Sequence, residues 1–191
     1  VLGSGRSTNA DGIVTAVTAN PTGTSITVTS TTGFATNDEI MIINMRGATG
    51  DTTDVGNYEF LTVSSVPNGT TLNLSSSITK SYDGTTFSNQ KIIVQRVPQW
   101  TTVTIQNGGT LTPNDWNGTS GGVIVFRATG AVTINNGGNL NVNGKGYVMG
   151  TGGPTSNTDG YWGESYSGPI SQSILANGGG GGGGDIFAPT S

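Results

Sequence analysis

The feature that most constrains this chain is a phrase that occurs twice. Val103-Thr104-Ile105-Gln106-Asn107-Gly108-Gly109-Thr110-Leu111-Thr112 returns as Val132-Thr133-Ile134-Asn135-Asn136-Gly137-Gly138-Asn139-Leu140-Asn141. Each copy is two short stretches of apolar/polar alternation around Asn-Gly-Gly, which reads either as a β-hairpin or as one bent rung of a β-solenoid. A recurrence on the scale of roughly thirty residues favours stacked rungs. Between the copies, the apolar run Val123-Ile124-Val125-Phe126 is expected to be a strand filling the interior.

Upstream, the pattern is that of a compact β-domain. Residues 13–18 and 25–30 read as strands around the turn Asn20-Pro21-Thr22-Gly23. Ile40-Met41-Ile42-Ile43 is a continuous apolar run, as in a strand covered on both faces. Residues 58–66 and 71–74 form a hairpin around Pro67-Asn68-Gly69, and residues 91–97 give another buried strand. About six strands with turns every 8 to 15 residues suggest a small barrel or sandwich. The 191 residues include 33 glycines, abundant Thr, Ser and Asn, and no window with an apolar repeat at helical spacing. The expected fold is therefore all-β: an arm at 1–12, a barrel or sandwich at 13–98, β-repeats (solenoid-like or sandwich) at 99–147, and a Gly-rich tail at 148–191.

Only 9% of residues are charged and the net charge is −4, so the clustered basic surface that nucleic acid requires is missing. There is no apolar stretch of about 18 residues to span a membrane. The absence of cysteine excludes disulfides and thiolate metal sites, and the absence of histidine excludes His-dependent triads and His-ligated metals. The chain is expected to be non-enzymatic and to need no cofactor. Asp51 and Asp54, with Asp38 and Glu39, could supply oxygen ligands to a structural calcium ion, although no 12-residue calcium loop is present. In the tail, Tyr161, Trp162 and Tyr166 lie between and beside Asp159 and Glu164, residue types that stack on a sugar ring and hydrogen-bond it, so a glycan-binding site is a candidate there.

Two stretches are candidates for an assembly interface. Seven consecutive glycines, Gly178, Gly179, Gly180, Gly181, Gly182, Gly183 and Gly184, would each cost roughly 1–2 kcal/mol to order, so they imply close backbone packing against something. The arm through Asp11, with Ile13 and Val14 at the start of the first strand, could be donated to a neighbouring subunit to cover a sheet edge; the alternative is capping of its own barrel. A start at Val1 rather than Met suggests a processed chain from which a signal peptide was removed.

Gly122–Gly130 and Gly144-Lys145-Gly146-Tyr147, followed by Gly163-Glu164-Ser165-Tyr166 and the glycine run, resemble the Gly-rich β-repeat regions of large secreted or surface proteins of bacteria, fibre and adhesin-like proteins among them. Thr32-Gly33-Phe34, Asp38-Glu39-Ile40 and Gly56-Asn57-Tyr58-Glu59-Phe60 resemble the small β-domain that often precedes such regions. The resemblance implies an extracellular, structural or adhesive role and carries over no catalytic residues. The expectation is a filament or fibre/adhesin subunit at the cell surface that assembles with copies of itself; the alternative is a carbohydrate-binding adhesin module or a phage tail-fibre protein, with surface glycans as partners.

Overall fold

A computed structural model of the chain describes residues 7–9, 12–149 and 163–169, and these are all-β, with one 3-10 turn at Phe87–Asn89 and no α-helix. A short strand in the arm, β1 (Ser7–Asn9), precedes the main sheet. That sheet is antiparallel and has six strands: β2 (Val14–Ala16), β3 (Ser25–Thr27), β4 (Glu39–Arg46), β5 (Tyr58–Asn68), β6 (Thr71–Leu74) and β7 (Lys91–Arg96), in the order β2-β7-β4-β5-β6-β3. It curls until its two edges touch. Val17, just past β2, bridges Val28, just past β3, and Thr18 N–H donates to the Thr27 carbonyl while Thr29 N–H donates to that of Ala16, both at 2.9 Å. Curling leaves little open edge on which another chain could add a strand.

Alternation explains the interior. Ile26, Ile40, Ile42, Val63, Leu72, Ile92 and Val94 are fully or almost fully buried in a single cluster. On the opposite face of β4 and β7, Met41, Ile93 and Gln95 are also buried, which accounts for the unbroken apolar runs in both strands. Gln95 Nε2 donates to the Val123 carbonyl at 3.2 Å, so the chain that follows the barrel lies over this outer face.

That following chain is a solenoid. Its first coil carries β8 (Gln99–Trp100), β9 (Val103–Ile105) and β10 (Thr110–Thr112); its second carries β11 (Arg127–Ala128), β12 (Val132–Ile134) and β13 (Asn139–Leu140). The pairs β8/β11, β9/β12 and β10/β13 are all parallel, with Val103 opposite Val132, Ile105 opposite Ile134 and Leu111 opposite Leu140. The repeat is thus two stacked rungs and not a hairpin. The turns stack too: Asn135 N–H donates to the Ile105 carbonyl, Gly108 N–H to that of Gly137, and Asn139 N–H to that of Gly109, at 2.8–2.9 Å. Gly108 and Gly137 occupy the left-handed region at φ 72° and 80°, which is why Asn-Gly-Gly recurs at the bend.

One expectation needs correction. Val123–Phe126 is not a strand but an irregular segment, with Ile124 and Phe126 packed against Val103, Ile105 and Leu111. Gly121 and Gly122 before it sit at φ 102° and 81°, and this turn breaks the extended geometry that a ladder requires. Ile13 and Val14, expected at an assembly interface, make contacts within the chain: Val14 pairs with Gln95 of β7, and Ile13 packs on the barrel core over Gly33, where a Cβ would come within 2.7 Å of its Cδ1. Within the arm, β1 runs parallel to β10 with Ser7 opposite Thr110.

The stacked turn generates a prediction. A Cβ at Gly138 would lie 2.6 Å from the Ile105 carbonyl oxygen, a clash with backbone that no rotamer relieves. Gly138→Ala should cost about 1–3 kcal/mol and raise hydrogen exchange at residues 132–141, leaving the amides of 40–43 protected; unchanged exchange in both regions would contradict the stacking.

Candidate functional site

Three places gather chemistry-bearing side chains. The first is the seam between barrel and solenoid. Glu39, at the start of β4, accepts from Arg127 Nε at 2.7 Å and Nη2 at 2.6 Å and from Gln99 Nε2 at 2.6 Å, so one carboxylate ties the barrel to both coils. The Arg127 hydrogen bonds hold the Glu39 carboxyl below its ordinary pKa, and Glu39 raises that of Arg127 in return. Arg127 also lies over the Phe60 ring, 4.8 Å from its centroid. Beside this clasp is an open cleft of about 290 Å³ lined by Asn37, Asp38, Glu39, Arg96, Val97, Pro98, Gln99 and Trp100. On the neighbouring surface of β5, Tyr58 and Phe60 form an exposed aromatic ridge, edge to face at 6.0 Å, with Lys80 over the Tyr58 ring.

The second place is a buried ion pair at the other end of β4. A register shift between Asn44 and Arg46 interrupts the β4–β7 ladder, and Arg46 is ion-paired with Glu164, 118 residues away. Both side chains are buried. The other Glu164 oxygen accepts from Trp116 Nε1 at 2.6 Å and from Val148 N–H at 3.2 Å, and Glu164 N–H donates to the Val148 carbonyl at 2.8 Å. Tyr147 packs edge to face on Trp116 and donates its hydroxyl to the Met45 carbonyl. The knot binds barrel, second coil and residues 163–169 together.

These contacts bear on the glycan site expected in the tail. Asp159, Tyr161 and Trp162 lie outside the described residues, as does the tract Gly178–Gly184. Of the other two members, Tyr166 is half exposed and accepts from Gly47 N–H through its carbonyl, but Glu164 is sequestered, with both oxygens engaged inside the protein. Neither oxygen is free to bracket a sugar.

The third place is the acidic pair considered for calcium. Asp51 accepts from Thr85 N–H, from Thr86 N–H at 3.0 Å and from Asn89 Nδ2 at 3.0 Å, and Asp54 accepts from Gly84 N–H at 2.8 Å. The donors from Thr85, Asn89 and Thr86 depress the Asp51 pKa to about 2. The pair therefore staples loop 47–57 to loop 81–90 with amide hydrogens. Asp38 and Glu39 lie elsewhere, the former accepting from Ala35 N–H at 2.7 Å and the latter in the clasp. Among the described residues no group of three acidic side chains is placed to hold an ion.

Sequence reasoning missed Arg46, Trp116, Tyr147, Arg127, Gln99 and the Tyr58/Phe60 ridge. Phe60 and Tyr58 carried the one available signal, since they take the same side of an alternating strand whose other side is apolar Leu61 and Val63.

No family model matches the chain, and no curated protein does. Among solved structures it is similar to the tailspike protein gp49 from Pseudomonas phage LKA1, at 20% identity over 53% of this chain and 17% of that one, with a TM-score of 0.33. It is also similar to the Gp54 tailspike of Acinetobacter baumannii bacteriophage AP22, solved in complex with A. baumannii capsular saccharide, at 14% identity over 56% of this chain and 21% of that one, TM-score 0.34. A third is the Pseudomonas phage phi297 tailspike gp61, at 14% identity over 70% and 24%, TM-score 0.33. The chain spans a quarter or less of the length of each of these proteins.

Two expected outcomes follow from these sites. Removing one partner of a buried pair strands the other charge, so Glu164→Ala should cost about 3–5 kcal/mol and open residues 163–169 to limited proteolysis; a Tm equal to that of the parent would show that the pair is not buried. For Asp51, a folded-state pKa below the ordinary carboxylate value means that its contribution is present above pH ~4 and lost as pH falls toward ~2. Asp51→Asn should therefore be less stable at pH 7 and flatten the acid arm of the stability curve between pH ~4 and ~2, as followed by thermal melts.

Proposed function

We propose that this chain is a non-catalytic structural part of an extracellular fibre or tail-fibre-type surface assembly, in which the curled barrel seats the first coils of a parallel β-solenoid and copies of the chain assemble with one another. The observation that carries this reading is the in-register stacking of two coils on the outer face of the barrel, clasped through Glu39, Arg127 and Gln99. Repeats that contact only their neighbours build length, and fibres are made from such elements. The carboxylates at the three described sites support a structural role, because each is engaged by donors of the same chain: Glu39 by Arg127 and Gln99, Glu164 by Arg46 and Trp116, Asp51 by loop amides.

A second reading, glycan binding, is favoured by the Tyr58/Phe60 ridge beside the cleft that holds Asp38, Arg96, Gln99 and Trp100. Exposed rings next to hydrogen-bonding side chains suit a sugar, whose apolar face stacks while its hydroxyls bond.

Negative-stain microscopy of the native material at physiological salt tests the first reading, with regular fibres expected; a field of dispersed monomers overturns it. The second is tested on a glycan array, where the parent chain is expected to bind and Tyr58→Ala to lose that binding while keeping its Tm. Retention of binding in Tyr58→Ala together with loss in Trp162→Ala would move the site to the tail.

A further inference from the structure

The outer face of β5 carries Tyr58, Phe60 and Thr62 in a row, while Glu59, Leu61 and Val63 take the other side. Tyr58 and Phe60 are 50% and 40% exposed. The two rings are held differently. Phe60 lies under the Arg127 guanidinium, which Glu39 fixes in turn, and stands edge to face with Tyr58 at an interplanar angle of 80°. Phe60 therefore buttresses its neighbour, and Tyr58 is the ring with more surface open to a ligand.

Beside that ring stands a cation whose charge is not spent. The Lys80 ammonium is 5.9 Å from the Tyr58 centroid, at the outer limit of about 6 Å for a cation–π contact, so the ring holds it loosely. Its backbone, by contrast, is anchored. Lys80 N–H donates to Glu59 Oε1 at 2.9 Å, Tyr82 donates its hydroxyl to the same oxygen at 3.1 Å, and Thr79 donates N–H and hydroxyl to Oε2 at 2.9 and 2.6 Å. Glu59 is thus saturated by this loop, and Asp83 accepts from Asn20 Nδ2 at 3.0 Å. Arg46, Arg127 and Lys145 are paired with Glu164, Glu39 and Asp115, whereas among the described residues Lys80 makes no ion pair.

An open ring next to an uncompensated ammonium suits a molecule with an apolar face and an anionic group at its rim. An acidic pyranose has that form: its C–H face stacks, and its carboxylate reaches the cation in a charge-assisted hydrogen bond. Nucleic acid would also bring stacking and negative charge, but a run of phosphates needs a series of cations, and Arg127, the next along the ridge, is already neutralised by Glu39. The net charge of −4 does not decide the matter, because charges beyond about 8–10 Å are screened at physiological salt and the contact is set locally. The path onward is also defined. From Tyr58 to Thr62 the strand advances about 14 Å, and Thr62 pairs with Glu39, which lines the cleft with Asp38, Arg96 and Gln99.

We infer that the ligand of this surface is an acidic saccharide, with a uronate- or sialate-type sugar stacked on Tyr58, its carboxylate on the Lys80 ammonium, and the following units running along β5 past Arg127 to the cleft. The inference rests on the glycan-binding reading proposed above and names the ligand's charge and the side chain that reads it. Tyr58 supplies affinity for either kind of sugar, and Lys80 supplies the choice between them.

The test is an array that carries glucuronate-, galacturonate- and N-acetylneuraminate-terminated glycans beside their carboxyl-reduced forms, read with the full chain at physiological salt. The parent is expected to bind an acidic member on the order of tenfold more tightly than its reduced counterpart. Lys80→Gln should bring that ratio to about one without weakening the reduced form, Lys80→Arg should keep the preference, and Tyr58→Ala should lose both ligands, each variant retaining the parent Tm. Lys91→Gln removes the same charge from β7 and should leave the preference intact. Equal binding of acidic and reduced forms by the parent, a preference that survives Lys80→Gln, or an equal loss in Lys91→Gln overturns the inference while leaving glycan binding in place. No binding to any member overturns the inference together with the reading beneath it.

Discussion

A stack of short parallel strands satisfies its backbone only through the strand before and the strand after, so every such stack has two ends that must be dealt with. In this chain the near end determines the architecture. β1 lies against β10, and the outer face of β4 and β7 receives the chain around Val123, so the first coil is covered before the second is laid on it. The dependence runs both ways. Ile93 and Gln95 point away from the barrel interior yet are buried, so the barrel would expose an apolar strip if the coils were absent. Each part covers apolar surface of the other, and the Glu39–Arg127–Gln99 clasp fixes how one sits on the other.

The Arg46–Glu164 pair shows a different kind of dependence. Taking two charges out of water costs more than their attraction returns unless further hydrogen bonds complete the site. Glu164 obtains these from Trp116 Nε1 and Val148 N–H. Burial lowers the Arg46 pKa, the direction expected of a guanidinium taken out of water. Such a pair contributes little net stability but is intolerant of substitution, and its anchors lie in separate stretches of chain. It specifies where residues 163–169 return more than it strengthens the fold.

What was legible in the sequence follows from the range of the interactions. Alternation and apolar runs are local, and they placed β4, β7 and the β5–β6 hairpin close to their observed positions. The recurrence of Val-Thr-Ile with Asn-Gly-Gly is a long-range signal written locally, and it disclosed the rungs. Val123–Phe126 misled because a buried apolar run needs no ladder when alternate side chains can pack on an adjacent coil. Glu39 and Glu164 stood out in the sequence for other roles, but their pairing left no trace, since Arg46 and Glu164 are 118 residues apart and nothing in the local sequence around either one marks it as half of a pair.

The far end of the stack is where sequence similarity and environment part company. The second rung repeats the apolar residues of the first, but about half the surface of Val132, Ile134 and Leu140 faces out, forgoing roughly 1 kcal/mol for each side chain left half covered. A head-to-tail polymer could in principle recover this by setting the far end of one copy on the near end of the next. The near end is already occupied by the barrel and by β1 of its own chain, and displacing them would uncover Ile93 and Gln95 and break the Glu39 clasp. A head-to-tail contact of that kind would therefore be made at the expense of contacts that the chain already makes with itself.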